Sequence, residues 1–199
     1  TSLGAYYAFQ AAAQSLGIKT DERKQYKAHT VSNTFEGTLA SKSGCHEVTD
    51  TITVYEPQKD DTQFYVTYDD TQEKSRSLFV EKCLKDKDQY TVFFGGNHPK
   101  ITIRTTSESG RRLLIFKDSY ANSFIQFLTP YYEKIILVDP RYYYDNASSI
   151  ITGEEITDVL FLYNLNTYLE DNSLADTLDA AQPEQTEGGD TAATNTDQA

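Results

Sequence analysis

Two short apolar runs separated by a polar break constrain the fold of this chain more than any other feature. Residues 113–116 and 135–138 are each four consecutive apolar residues rich in β-formers, which is the pattern of strands buried on both faces of a sheet. Between them, residues 124–128 place apolar side chains at helical spacing, and Pro130 ends that helix. The segment therefore predicts strand, helix, strand: a parallel pair joined by a helical crossover.

Ser119 lies where the first of these strands turns into the predicted helix. Ligands of open α/β folds bind at the carboxyl ends of parallel strands, and the first free N–H groups of a helix that starts there can stabilise an oxyanion. A serine at this junction can therefore act as a nucleophile. The alternative is that Asp118 or Ser119 only caps the helix, since both residue types are favoured at that position.

A second candidate feature is the sequence Gly95-Gly96-Asn97-His98. Two glycines allow positive φ angles or a close approach of a ligand to the backbone, and the amide of Asn97 can donate a hydrogen bond to an oxyanion. The same composition is also typical of a tight turn with His98 on the surface. Both interpretations stay open on the residues alone.

The rest of the chain adds a helix, several strands and a tail. Residues 2–16 have helical spacing and end at Gly17. Alternating residues predict an antiparallel β insertion over about residues 29–90, and residues 159–163 predict another buried strand. The predicted strands of the insertion are 31–39, 48–55, 64–68 and 75–79; 100–104 is predicted as a further strand, and 90–94 fits either a strand or a helix end.

The formal net charge of −12 is concentrated near the C-terminus. Residues 170–199 hold eight acidic residues and no Lys or Arg, which leaves −4 for the remainder. Nucleic acid is excluded as a partner because its binding needs clustered basic residues. Residues 171–199 contain no aromatic residue, and we expect this acidic tail to be disordered. No apolar run approaches the roughly 20 residues of a membrane span.

The chain has two cysteines, Cys45 and Cys83, whose spacing fits no metal site. They can pair in an oxidising compartment or remain reduced thiols in the cytosol. We predict no metal and no cofactor for this chain.

Several blocks of the sequence, in order over about residues 1 to 168, resemble the DHHW protein family. That family is similar to SGNH hydrolases and to the bacterial alginate O-acetylation proteins. The blocks that carry the resemblance are residues 4–9, 93–99, 117–124 (Lys-Asp-Ser-Tyr-Ala-Asn-Ser-Phe), 131–132, 139–143 and 158–164.

The resemblance implies an SGNH-like α/β domain over residues 1–170, with a mainly parallel sheet flanked by helices. It also implies a serine esterase or O-acyltransferase acting on acyl groups of a cell-envelope polysaccharide. Ser119 would be the nucleophile, and Asn97 with Gly96 would hold the oxyanion. The residues expected to contact substrate are His98, Asp118, Tyr120, Asn122, Arg141, Tyr142 and Asn164.

One departure from the family pattern is that the Asp-His-His-Trp signature is absent. It would fall immediately before Thr1, so we expect this chain to be the C-terminal portion of a longer protein whose base His and Asp lie upstream. By itself the chain should then have little or no turnover. If the chain were complete, His98 would be the best candidate for the base. The remaining partners expected are a polysaccharide or an acyl-donor protein.

The resemblance further implies an extracellular or membrane-anchored protein on the outer side of a bacterial membrane. The competing hypothesis is a non-catalytic envelope protein, structural or glycan-binding through its tyrosines and acidic tail. Arg141 can bind a carboxylate or pair with Asp139 or Asp145, and we favour the pairing. For the run 142–144 we expect at least two of the three tyrosines to pack in the core.

Overall fold

A six-stranded mixed sheet forms the centre of this computed structural model, which describes residues 1–19 and 23–180. The order of strands across the sheet is β4-β3-β5-β7-β6-β8. Its strands are β3 (Phe64–Tyr68), β4 (Lys74–Ser75), β5 (Lys100–Thr105), β6 (Arg112–Lys117), β7 (Lys134–Val138) and β8 (Asp158–Leu162). A separate two-stranded antiparallel sheet consists of β1 (Tyr26–Phe35) and β2 (Asp50–Pro57).

Half of the sheet is parallel, as the apolar runs predict. β6 pairs in parallel with β7 on one side, where Leu113 lies opposite Ile135, and with β8 on the other, where Leu113 lies opposite Asp158. The other half, β4-β3-β5, is antiparallel and joins β7 through β5. The sheet is therefore mixed rather than mainly parallel, because the predicted insertion supplies two strands of the central sheet.

The helices are short. They are α1 (Ser2–Ala12), α2 (Thr38–Ser43), α3 (Ala147–Gly153), α4 (Leu165–Glu170) and α5 (Ser173–Asp179). The hydroxyl of Thr1 caps α1 by accepting a hydrogen bond from the N–H of Gly4. The tail predicted from residue 171 begins with helix α5, whose Leu174 and Leu178 pack against the sheet. The remaining residues of the predicted tail, 181–199, lie outside the described part of the chain.

The crossover between β6 and β7 differs from the predicted α-helix. It consists of two 3-10 turns, Ser119–Ala121 and Ile125–Phe127, and every residue from 121 to 129 is buried. A surface helix keeps one polar face, whereas here α1 and the β1–β2 sheet cover the crossover from outside. Phe9 and Tyr55 contact Phe127, with ring centroids 5.4 and 5.1 Å apart.

The two faces of the central sheet have separate cores. One face, with Ile115 and Leu137, packs against the crossover and α1. The opposite face, with Phe116 and Ile136, packs against α3 and Tyr143. β8 is an edge strand, and within the described residues its only pairing is with β6. No helix in the described ranges is long and apolar enough to cross a membrane.

Both cysteines are free thiols: Cys45 is exposed and Cys83 is buried. The structure therefore shows no disulfide between them. Residues 90–94, for which strand and helix end were both open, form the end of a 3-10 turn (Gln89–Val92) followed by a bridge between Phe79 and Phe93.

Candidate active site

The carboxyl ends of the three parallel strands place polar residues from separate parts of the chain at one edge of the sheet. β6 ends at Lys117 and continues into Asp118 and Ser119, β7 leads into Asp139, and β8 leads into Asn164. β5 runs against β7, so its first residues lie at this same edge, where the N–H of Asp139 donates to the carbonyl of Pro99 at 3.0 Å. The loop that carries Asn97 is thereby brought to the edge that carries Ser119.

Ser119 opens a 3-10 turn directly after the middle strand of the parallel group. Ser119 is partly exposed, and its hydroxyl forms no hydrogen bond within the part of the chain that the structure describes. The N–H of Asn122 donates to the Ser119 carbonyl at 3.1 Å and closes the turn. The residue is thus partly open to solvent while its backbone is held in the turn.

Asp118 is buried and holds the turn instead of facing solvent. One carboxylate oxygen accepts from the N–H of Tyr120 at 2.9 Å, and the other accepts from the N–H of Asn164 at 3.1 Å. Its exposed fraction is 2%. The capping interpretation therefore describes Asp118, and the expected substrate contact does not fit a carboxylate whose two oxygens are occupied inside the fold. Asn164 is likewise an N-cap, because its side chain accepts from the N–H of Asn166.

Asn122 does not fit the expected role as a substrate contact either. Its exposed fraction is 2%, and its side-chain oxygen accepts a hydrogen bond from the Lys117 ammonium at 2.9 Å. The amide therefore lies beneath the turn and serves the interior of the protein.

Tyr90 anchors the other side of the Ser119 turn. Its hydroxyl donates to the side-chain oxygen of Ser123 and accepts from the Ser123 N–H, each at 3.2 Å. It also lies 3.4 Å from the carbonyl of Tyr120. Burial raises the pKa of the Tyr90 phenol, although the hydrogen bonds with Ser123 oppose this, so the hydroxyl keeps its proton as a donor.

The glycine pair does adopt the backbone conformation that its composition allows. Phe94, Gly95 and Gly96 have φ angles of 65°, 79° and 129°, all in the region that favours glycine. The Gly96 N–H points to the Phe93 carbonyl at a long 3.5 Å. The side chain of Asn97 is exposed. The predicted oxyanion donors therefore lie on a sharp turn at the site edge, and the Gly96 N–H is directed to a carbonyl of its own turn.

His98 is held by both of its ring nitrogens. Nδ1 lies 2.9 Å from an Asp70 carboxylate oxygen, Nε2 lies 3.2 Å from the Phe94 carbonyl, and the ring packs against Tyr68. Because both nitrogens face acceptor oxygens, neither is free to take a proton from Ser119 in this arrangement. This geometry does not provide the general base that a serine nucleophile requires.

Arg141 forms the ion pair that we favoured from the sequence. Its Nε and one terminal nitrogen donate to the two oxygens of Asp139 at 2.9 and 2.7 Å. The hydrogen bonds to the fully buried Asp139 raise the pKa of the Arg141 guanidinium, so it stays charged. A quarter of its side chain remains exposed, so the expected contact with substrate remains a prediction.

The tyrosines near this edge are more exposed than we expected. Only Tyr143 packs in the core, at 6% exposure, whereas Tyr142 is 45% and Tyr144 is 90% exposed. The guanidinium of Arg141 lies 5.4 Å from the centre of the Tyr142 ring, a cation–π distance. Tyr120, the residue after Ser119, is 62% exposed. The expectation that at least two residues of the 142–144 run are in the core was wrong.

We did not predict from the sequence that Lys117 and Asp139 are buried charges of this site. Both open polar segments of the sequence, yet their side chains are 1% and 0% exposed. A signal was available, because each directly follows a run of four buried apolar residues, 113–116 or 135–138, and the strand carries it inward. Among the described residues no group of three or more His, Cys, Asp or Glu side chains is placed to hold a metal ion.

The fold and the site define an α/β protein with a serine turn at the carboxyl edge of its parallel strands. Comparison with known proteins makes this specific: the sequence model of the DHHW protein family matches residues 1–138, and the chain belongs to that family.

A crystal structure of a DHHW family protein from Eubacterium siraeum DSM 15702 is similar to this chain, with a TM-score of 0.73 and 31% identity. The similarity covers 86% of this chain and 58% of that one, so this chain spans somewhat more than half the length of that relative. Comparison with curated protein sequences gave no match.

Two structures of PatB1 from Bacillus cereus share the fold. The one with a sulfonyl adduct has a TM-score of 0.65 and 18% identity, over 84% of this chain and 58% of that one. The other has a TM-score of 0.59 and 16% identity, over 84% and 60% of the two chains.

Proposed function

We propose that this chain is the nucleophile-bearing part of an SGNH-like serine esterase or O-acyltransferase that acts on acyl groups, such as acetyl, of a cell-envelope polysaccharide. One observation carries the proposal. The partly exposed Ser119 opens a turn at the carboxyl end of the central parallel strand. Asn164, after β8, donates to Asp118 of that turn, and Lys117, which pairs with Asp139 after β7, donates to Asn122. This is where open α/β folds bind their ligands.

The chemistry assigned to Ser119 is acyl transfer through a covalent intermediate. The serine oxygen attacks the acyl carbonyl while a base accepts its proton, and a tetrahedral oxyanion forms. Collapse of this species breaks the ester bond, and the departing alcohol takes the proton from the base. Water or a sugar hydroxyl then accepts the acyl group from Ser119. The N–H of Ser119 and the side chain of Asn97 are the donors that we assign to the oxyanion.

The base in this proposal comes from a segment before Thr1, as the Asp-His-His-Trp signature of the family implies. The position of His98 supports this assignment, because both of its nitrogens are engaged. The other two histidines pair elsewhere: His29 with Glu56 and His46 with Glu36. The chain by itself is then expected to show little turnover.

The sulfonyl adduct on PatB1 is a property of that protein, but it suggests the chemistry of the test. Sulfonyl groups attach covalently to nucleophilic side chains, and PatB1 shares the fold of this chain. The substrate class and the location, extracellular or membrane-anchored on the outer side of the bacterial membrane, belong to the proposal and follow from the family resemblance.

A specific observation also favours a second candidate, a non-catalytic module that binds glycan. Tyr120, Tyr142 and Tyr144 are exposed near one edge of the sheet, and exposed aromatic faces are suited to stacking on ligands. This candidate predicts glycan binding without any reactive serine.

Labelling with a fluorophosphonate, which reacts with activated serines, distinguishes the two candidates. The full-length protein is treated with the reagent, and the modified residue is mapped by mass spectrometry. The enzyme proposal predicts modification at Ser119, loss of it in Ser119→Ala, and no change in Ser41→Ala, whose serine lies on α2.

Absence of labelling together with measurable glycan binding would favour the non-catalytic module. Rapid p-nitrophenyl acetate hydrolysis by the 199-residue chain, abolished by Ser119→Ala, would contradict the placement of the base before Thr1.

A further inference from the structure

Lys117 is a buried cation that the proposed reaction does not use directly. It is the last residue of β6, and its side chain is 1% exposed. Burying an ammonium group is costly unless it is paired and hydrogen-bonded. Its Nζ donates to the side-chain oxygen of Asn122 at 2.9 Å and lies 3.9 Å from a carboxylate oxygen of Asp139.

Asn122 connects this lysine to the candidate nucleophile. Its side chain accepts from Lys117, and its backbone N–H donates to the Ser119 carbonyl at 3.1 Å. A single residue therefore transmits the position of the ammonium group to the turn that carries the serine. A shift of Asn122 would move the closing hydrogen bond of that turn.

The far side of the ammonium group is fixed by Asp139. This carboxylate is fully buried and is held by two hydrogen bonds from Arg141, so it cannot turn away from Lys117. Burial lowers the pKa of Lys117 to about 8, while the charge of Asp139 opposes the decrease. The amine is therefore mostly protonated at neutral pH.

We propose that Lys117 is a positioning residue for Ser119, acting through Asn122. The inference rests on the proposed function of Ser119 and deepens it. A gain in stability does not explain the buried Lys117–Asp139 pair, because apolar residues of similar volume often replace buried ion pairs without loss of stability. What an apolar residue would not replace is the directional hydrogen bond to Asn122, which fixes where the Ser119 turn closes.

Lys134 provides a matched control. It is also a buried lysine of the sheet, at 4% exposure, and it pairs with Glu154. It is the first residue of β7, so it lies at the opposite edge of the parallel strands from Ser119. Loss of Lys134 removes a buried lysine without touching the serine turn.

The test measures the rate of fluorophosphonate labelling at Ser119 and the kcat and KM for p-nitrophenyl acetate in the full-length protein. Lys117→Met is expected to lower the labelling rate and kcat by roughly tenfold or more, because small displacements of a reacting group are costly. KM should change by less than about twofold. Lys134→Met should leave all three within about twofold of wild type.

Two further variants keep the inference testable if Lys117→Met folds poorly. Asn122→Leu breaks the same link, and the double variant Lys117→Met/Asn122→Leu replaces both partners by apolar groups, so that neither side chain is left without its hydrogen-bond partner. Because the two residues act in series, the loss in the double variant should be no larger than in either single variant. Lys117→Arg, which keeps the charge and donors, should recover part of the rate.

The outcomes separate this inference from the proposed function. If wild type is not labelled at Ser119, the proposed function and the inference both fail. If wild type is labelled and both Lys117→Met and the double variant react at the wild-type rate, the inference alone is overturned. Multiplicative losses in the double variant would also overturn it, because they would show that Lys117 does not act through Asn122.

Discussion

The substitution Lys117→Met should change how the stability of the protein depends on pH. The wild-type lysine is buried, and burial lowers its pKa from 10.5 to about 8, with Asp139 opposing and Arg141 adding to the effect. Methionine has similar length and cannot titrate. Any pH dependence that belongs to the lysine is therefore lost in the variant.

The direction of this pH dependence follows from proton binding in the folded and unfolded states. A lowered pKa means that the folded state binds the proton of Lys117 less tightly than the unfolded state does. Between about pH 8 and pH 10.5 the unfolded state holds more protons, so the free energy of unfolding rises with pH. The whole interval corresponds to about 3 kcal/mol, of which about 2–3 kcal/mol falls between pH 7 and pH 10.

The assay is urea unfolding of wild type and Lys117→Met at pH 7 and at pH 10, followed by circular dichroism. Other groups titrate over this range in both proteins, so only the difference between the two free energies of unfolding is used. That difference should shift in favour of wild type by about 2–3 kcal/mol from pH 7 to pH 10.

Lys117→Arg is the control, because arginine stays charged at both pH values. From pH 7 to pH 10 the free energy of unfolding of wild type should rise relative to that of this variant by the same amount. The reasoning would be refuted if, for both variants, the difference in free energy of unfolding from wild type changed by less than about 0.5 kcal/mol between the two pH values. It would mean that the ammonium group is not desolvated in the folded state.

Three other predictions concern the crossover and the thiols. Tyr90→Phe should lower the free energy of unfolding by about 1–3 kcal/mol in urea titrations, because it leaves the Ser123 N–H without its acceptor; an unchanged midpoint would contradict the contact. Phe127→Ala should cost about 3–5 kcal/mol, measured the same way, since it opens a cavity among packed rings. In the native protein a thiol reagent should modify Cys45 rapidly and Cys83 only after urea is added; equal rates would be inconsistent with the burial of Cys83.

The strands of the sheet could be predicted because their signal is local. The apolar runs at 113–116 and 135–138 fall within β6 and β7, and the alternating run 64–68 coincides with β3. Burial on two faces requires apolar side chains at every position, and no turn residue interrupts these runs. The sheet order could not be predicted, because the place of β5 between β3 and β7 depends on contacts between distant residues.

The crossover shows why helical spacing alone misled the prediction. Phe124, Phe127 and Leu128 have the spacing of one helix face, but residues between them, such as Gln126, are buried as well. Gln126 donates to the Ser123 carbonyl and accepts from the N–H of Tyr55. A polar side chain can be buried when its hydrogen-bonding groups are paired in this way. In the sequence, however, a polar residue at this position indicates an exposed helix face.

The position of the candidate site could be predicted from the sequence better than the roles of its residues. Ser119 and the Gly95–Asn97 loop do lie at one edge of the sheet, which the strand–turn pattern and the family resemblance indicated. Asp118 and Asn122 were expected to contact substrate, but both are buried and hold the turn from within. Their partners depend on residues from elsewhere in the chain: Asn164 after β8 donates to Asp118, and the Lys117 that donates to Asn122 pairs with Asp139 after β7.

The enclosure of the crossover has a consequence for how this protein can change. Residues 121–129 lie between the central sheet and the layer formed by α1, β1 and β2, so their amide hydrogens should exchange with solvent only when the whole domain opens. The serine turn leads directly into this enclosed segment. Substitutions that loosen it should lower global stability at the same time, whereas the exposed tyrosines beside it can vary without that penalty.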